Sequence, residues 1–130
     1  MSHATVNLKG KVALITGSSR GIGKAIATRL AEHGANLVLA ARTQGPLDET
    51  VKHLKDKYGI DAIGVPCDVA KLDNLQNLVA KAKEKFKQID ILVNVAGVSS
   101  QHPFHEQPIE DFEMLAHINY LGYVRLIRLV

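Results

Sequence analysis

A chain of 130 residues, 46% hydrophobic and 22% charged, has the size and composition of one soluble globular domain. Its net charge of +3 is carried by interleaved lysines and acids, with no basic block or aromatic–basic stripe of the kind nucleic acid attracts. No apolar run reaches the ~20 residues of a membrane span. The single cysteine, Cys67, leaves no internal disulfide, and the opening segment MSHATVNLKGK lacks the apolar stretch of a signal peptide. A cytoplasmic protein is expected.

In chain order, Lys11–Thr16 reads as a short strand, apolar on both faces, as in a parallel sheet covered by helices on two sides. It runs into Thr16-Gly17-Ser18-Ser19-Arg20-Gly21-Ile22-Gly23. A helix follows from near Ile22, with Ile22, Ile26 and Leu30 four apart, and Gly34 stops it. Leu37–Ala41 is strand two and Arg42–Gly45 a loop. Pro46 opens helix two, whose Leu47, Val51, Leu54 and Tyr58 recur at helical spacing. Asp61–Val65 alternates as strand three, limited by Pro66. Leu72, Leu75, Leu78, Val79, Ala82 and Phe86 form the stripe of helix three, and Ile89–Val95 is strand four. After the polar loop Ser99–Gln107, helix four runs from near Pro108 to Val130. No linker or repeat interrupts this. Alternating strands and helices imply right-handed crossovers and a parallel sheet, here of expected order 3-2-1-4. The first and fourth strands then flank the switch point where ligands bind.

The glycine loop lies between strand and helix. Three glycines permit tight turning and close ligand approach, and the helix aims free N–H groups and its positive dipole end at the loop. That geometry suits a phosphate. The spacing is G-x-x-x-G-x-G rather than the commoner G-x-G-x-x-G, and no Lys-Ser/Thr ending of an ATP-binding loop follows.

Four segments in this order resemble the short-chain dehydrogenase/reductase family, over essentially the whole chain from Leu8 to Val130. They are the glycine motif Thr16–Gly23, Asp68-Val69 after strand three, Asn94-Val95-Ala96-Gly97 after strand four, and Asn119 in Ile118-Asn119-Tyr120-Leu121-Gly122. Val95 stands where the family has a second asparagine. The resemblance implies a Rossmann-like doubly wound sheet and a nicotinamide cofactor held by Gly17, Ser18, Ser19, Arg20, Gly21, Ile22, Gly23, Arg42, Asp68, Val69, Asn94, Ala96 and Gly97. Asp68 would contact the adenine, and Asn119 would hold a proton-relay water as the catalytic residue of this portion. Each has a plainer reading: Asp68 as a loop or helix-start residue, Asn94 as a backbone partner, Asn119 as a structural hydrogen bond inside an apolar helix.

Proteins of this fold that prefer NAD place an acid after strand two. Here Ala40-Ala41-Arg42 has none, and Arg20 supplies a second guanidinium, so NADP(H) is expected over NAD(H). The alternative is that Arg42 is a solvated loop residue. His102, His105 and Glu106 lie in a proline-bearing loop without further clustered ligands, and a substrate-side loop is expected there rather than a metal site.

The resemblance further implies a serine, and a tyrosine with a lysine four residues on, acting on a carbonyl or alcohol substrate. No Tyr-x-x-x-Lys occurs: Ala62, Val124 and Ile127 follow Tyr58, Tyr120 and Tyr123 at that spacing. The last helix also ends without a stop signal. The expectation is therefore an NADP-binding domain over 1–130 whose catalytic C-terminal part is absent, inactive alone. The whole would be a reductase of a 3-oxoacyl, ketosphingoid or steroid-like ketone, pairing with a second subunit through its last helix. The alternative is a non-catalytic truncated product that binds nucleotide or pairs with full-length subunits.

Overall fold

The structure is a computed structural model and describes residues 5–130. The first four residues, which include His3 and belong to the expected domain, lie outside the described residues. Four strands, β1 (Val12–Thr16), β2 (Asn36–Ala41), β3 (Ala62–Pro66) and β4 (Ile91–Val93), form one parallel sheet in the order β3-β2-β1-β4. This is the order expected from the alternation of elements. The intervening helices are α1 (Gly21–Glu32), α2 (Gln44–Tyr58) and α3 (Leu72–Phe86). Beyond β4 come a turn of 3₁₀ helix at Phe104–Glu106, then α4 (Ile109–Ala116), a π turn at His117–Leu121, and α5 (Gly122–Leu129).

Successive strand residues point to opposite faces, so β1 feeds two separate cores. Ala13 and Ile15 join Leu37 and Leu39 under α1 and α2. Val12 and Leu14 join Val38, Ala40 and Val65 under α3, together with Ile118 and Leu126 from the last helical stretch. All five residues of β1 are buried, as two covered faces require.

Boundaries differ from the sequence reading at several points. Helix α1 buries Gly23, Ala27 and Ala31, whereas Ile22 is 73% exposed. The expected Ile22–Ile26–Leu30 stripe is therefore turned by one position, because small residues let the helix lie close to the sheet. Helix α2 starts at Gln44, two residues before Pro46, and the proline still falls in the first turn where its missing N–H costs no helical bond. Strand β3 runs one residue further than expected, with Pro66 in register with Ala41. Strand β4 is shorter than Ile89–Val95, because it pairs with β1 alone and only over Ile91–Val93. The expected single fourth helix is broken by the π turn.

Candidate functional site

A cleft of about 550 Å³ opens past the C-terminal ends of the strands. Gly17 and Ser19–Gly23 form its floor. Ala40–Thr43 and Pro46 bound one side, Cys67–Val69 another, and Val95–Val98 with Ile118 the third. Four loops converge here because each parallel strand delivers its following loop to the same sheet edge.

The glycine loop has its shape for steric reasons. Gly17 has φ +61°, and a Cβ there would lie 2.9 Å from the Ala96 backbone nitrogen. At Gly23 a Cβ would lie 2.1 Å from the Gly17 carbonyl oxygen, so only glycine lets α1 start this close to the end of β1. Side-chain ties fix the rest. Thr16 Oγ1, buried at the end of β1, accepts hydrogen bonds from the N–H groups of Val95 at 3.0 Å and Ala96 at 3.1 Å. Ser18 Oγ accepts from Ala40 N–H at 3.0 Å and donates to Ala40 O at 3.2 Å. Thr50 Oγ1, buried in α2, lies 3.0 Å from Pro46 O and 3.4 Å from Ser19 O. Arg20 is the N-cap of α1 and makes no side-chain capping bond. That leaves the first N–H groups of α1 facing the cleft.

The sequence-derived residues divide by what the geometry leaves free. Gly17, Ser19, Arg20, Gly21, Ile22, Gly23, Arg42, Asp68, Val69, Ala96 and Gly97 all line the cleft. Ser18 does not: it is fully buried and its hydroxyl is spent on β2. Asn94 is half-buried and lies outside the lining. Asn119 also lies outside it and is exposed rather than buried in an apolar helix. Its amide is paired at both ends with one residue, Oδ1 accepting from Val98 N–H at 2.9 Å and Nδ2 donating to Val98 O at 2.7 Å. Asp68 caps the start of its loop, Oδ1 accepting from Ala70 N–H at 3.0 Å, while its own N–H donates to Asn74 Oδ1 at 3.1 Å. The plainer, structural readings of Asp68 and Asn119 thus describe real contacts of both side chains.

Thr50, Thr43, Cys67 and Ile118 escaped the sequence reading, and Thr16 entered it only as the first residue of the glycine motif. Thr16 was visible as the one polar residue closing an apolar strand. Thr50 and Ile118 carry no local signal, since helical spacing alone does not say that Thr50 reaches the glycine loop from behind or that Ile118 reaches the cleft. Burial pushes the Cys67 thiol up to about 11, with the charges of Asp68 and Asp73 adding to it. Such a thiol is not nucleophilic at neutral pH.

The charge on the cleft is one-sided where β2 ends. Arg20 and Arg42 are exposed, and neither has an ion-pair or side-chain hydrogen-bond partner among the described residues. His102 and His105 lie elsewhere in the loop after β4, the first 3.2 Å from Ser100 Oγ and the second 3.4 Å from Glu106.

A parallel sheet of order 3-2-1-4 with a glycine loop, free helix N–H groups and a cleft at the switch point is a Rossmann-type dinucleotide-binding unit. Residues 11–130 match the family model described as short chain dehydrogenase, and the chain belongs to that family of oxidoreductases. A fatty acyl-CoA reductase of Acinetobacter baylyi is 42% identical over 93% of this chain and 41% of its own length. The crystal structure of L-sorbose reductase from Gluconobacter frateurii, complexed with NADPH and L-sorbose, superposes with TM-score 0.92 at 39% identity, covering 95% of this chain and 47% of that one. A Burkholderia phymatum short chain dehydrogenase/reductase in complex with NAD gives TM-score 0.90 at 35% identity, covering 95% and 43%. The chain therefore spans about half the length of the relatives it matches. Among the described residues no helix is long and apolar enough to cross a membrane.

Proposed function

We propose that this chain is the NADP(H)-binding portion of a cytoplasmic short-chain oxidoreductase acting on a carbonyl or alcohol substrate, with NADP(H) preferred over NAD(H). The observation that carries the cofactor preference is the pair of guanidiniums, Arg20 and Arg42, which line the cleft without a side-chain partner among the described residues, where β2 ends in Ala40-Ala41 without an acid. The donor set fits a 2′-phosphate, which two guanidiniums hold by charge-assisted bonds. The glycine loop fits a pyrophosphate, because Gly21 lines the cleft with φ +57° and nothing within 4 Å of where a Cβ would stand, so a ligand can approach the backbone there.

In this reading the N–H groups of the loop and of α1 hold the pyrophosphate. Asp68 and Val69 flank the adenine, Ile22 lies against the dinucleotide, and Ala96 and Gly97 bound the nicotinamide side. Asn94 and Ser18 support that arrangement from behind. Asn119 marks the turn at which a relay water is held, with its side chain anchored to Val98. When bound, the nicotinamide supplies hydride exchange with the substrate carbon.

No Tyr-x-x-x-Lys occurs within these 130 residues. We therefore assign them binding without turnover. A 3-oxoacyl, ketosphingoid or steroid-like ketone as substrate, and pairing of subunits through the exposed Tyr120, Val124 and Ile127, complete the proposal. The second reading, a non-catalytic product that binds nucleotide or pairs with longer subunits, rests on the same missing pair.

Titration of the chain with NADPH and NADH tests the reading. One guanidinium–phosphate bond is worth about 1.5–3 kcal/mol, and about 1.4 kcal/mol is tenfold. NADPH should bind at least about tenfold tighter, and Arg42→Asp should remove most of that margin, both by taking away a phosphate partner and by supplying an acid for the ribose hydroxyls of NADH. Equal binding of the two cofactors, or an unaltered ratio in Arg42→Asp, would refute the preference. Carbonyl reduction by the 130-residue chain would refute binding without turnover.

A further inference from the structure

The helical stretch that carries Asn119 touches two walls of the cleft. On one wall, the backbone of Gly122 rests directly on the loop after β3: a Cβ on Gly122 would lie 3.0 Å from Val69 O and 3.5 Å from Val69 Cβ. Arg125 Nη1 reaches the next carbonyl, Ala70 O, at 3.4 Å. Val69 is nearly buried and lines the cleft. On the wall formed by Val95–Val98, Asn119 grips the N–H and carbonyl of Val98. Ile118, between these contacts, projects into the cleft and is also nearly buried. Both contacts come from the same π turn and the residue that follows it. π turns carry one extra residue and recur at functional sites.

We propose that Gly122 is a positioning residue. By letting the helix rest on Val69, it couples the adenine-side wall at Cys67–Ala70 to the Asn119–Val98 clamp on the Val95–Val98 wall. A ligand held on the adenine side alone then tightens that clamp. The inference rests on the nucleotide reading above. The physical argument is one of rigidity. Asn119 and Gly122 are three residues apart on one hydrogen-bonded turn, so a shift of the helix against Val69 moves the amide that holds Val98. A side chain at residue 122 would wedge the helix off the loop. Binding free energies couple reciprocally, so loosening the clamp must weaken adenine-side binding even though Asn119 lines no part of the cleft.

The test uses the 130-residue chain and 2′,5′-ADP, which has the adenine half and no nicotinamide. Hydrogen exchange at Val98 N–H, whose acceptor is Asn119 Oδ1, is read by NMR. At saturation exchange should slow about fivefold or more. Gly122→Val should still bind 2′,5′-ADP but lose that slowing; if it does not fold, Gly122→Ala should show a reduced gain. Asn119→Ala should bind 2′,5′-ADP about three- to tenfold more weakly. Exchange unchanged within about twofold in the saturated unmodified chain, or unaltered affinity in Asn119→Ala, would overturn the coupling. Failure of both 2′,5′-ADP and NADPH to bind would overturn the nucleotide reading itself, and the coupling with it.

Discussion

Leu14 and Leu92 stand side by side in register across β1 and β4, yet they live in different environments. Leu14 is fully buried, with α3 above it and β2 and β4 on either side. Leu92 is only half-buried, on a three-residue strand paired along one edge. The contrast extends through the molecule. The half built on β1 and β2 is covered on both faces of the sheet and opens only at the cleft, whereas the half from β4 onward carries exposed Phe104, Ile109, Tyr120, Val124 and Ile127. The closed half shapes the phosphate cradle by sterics. The open half contributes to the cleft chiefly by hydrogen bonds, through Thr16 to Val95 and Ala96 and through Asn119 to Val98.

The most severe way to break the closed half is Gly23→Ala. The added carbon would lie 2.1 Å from a backbone oxygen that has no side-chain freedom to yield. Overpacking of this kind costs about 3 kcal/mol or more. The urea midpoint should fall accordingly, and NADPH binding should be lost even where the chain remains folded. A variant as stable as the unmodified chain would mean that α1 can retreat from the loop.

Legibility in the sequence follows the same division. Strand order, helix order and the glycine cradle could be read because the apolar runs and the three glycines act locally, within one strand–loop–helix unit. The open half was read less well. Strand β4 was expected over Ile89–Val95, but a ladder needs a partner and β1 offers one only at Ala13–Ile15. The fourth helix is expected to be continuous because the one extra residue of the π turn carries no proline or other breaker to mark it in the sequence. Asn119 was read as buried in an apolar helix. It is exposed, and only the fold brings Val98 to its amide. Ser18 matched a motif position, but its hydroxyl faces β2, which a motif does not record.

Paired truncations measure the contrast directly. Leu14→Ala should cost about 3 kcal/mol, because a fully buried leucine leaves a cavity in a close-packed core. Leu92→Ala should cost about 1 kcal/mol, because water already reaches part of its surface. Urea unfolding of the two variants gives both numbers. Equal losses would show that the open half is packed as tightly as the closed one.

The smallest effect tests whether the cleft wall at the end of β3 belongs to the closed half. Cys67 is 3% exposed and lines the cleft, and its thiol is raised from an ordinary 9.0 to about 11, chiefly by burial. A folded pKa above the unfolded one means that the folded chain holds the proton more tightly. The thiol's contribution to stability is therefore complete below pH 9 and is lost as pH rises from 9 toward 11. Solvent in the cleft screens part of this shift, so the loss is on the order of 1 kcal/mol or less. Lysines and tyrosines titrate in the same range, so the measurement is a difference. Urea midpoints of the unmodified chain and of Cys67→Ala, followed from pH 7 to 10.5, should converge as pH rises, since only the unmodified chain loses the contribution of the buried thiol. Curves that stay parallel would mean that water reaches Cys67 through the cleft, and the boundary of the closed half would then lie at Val65 rather than beyond it.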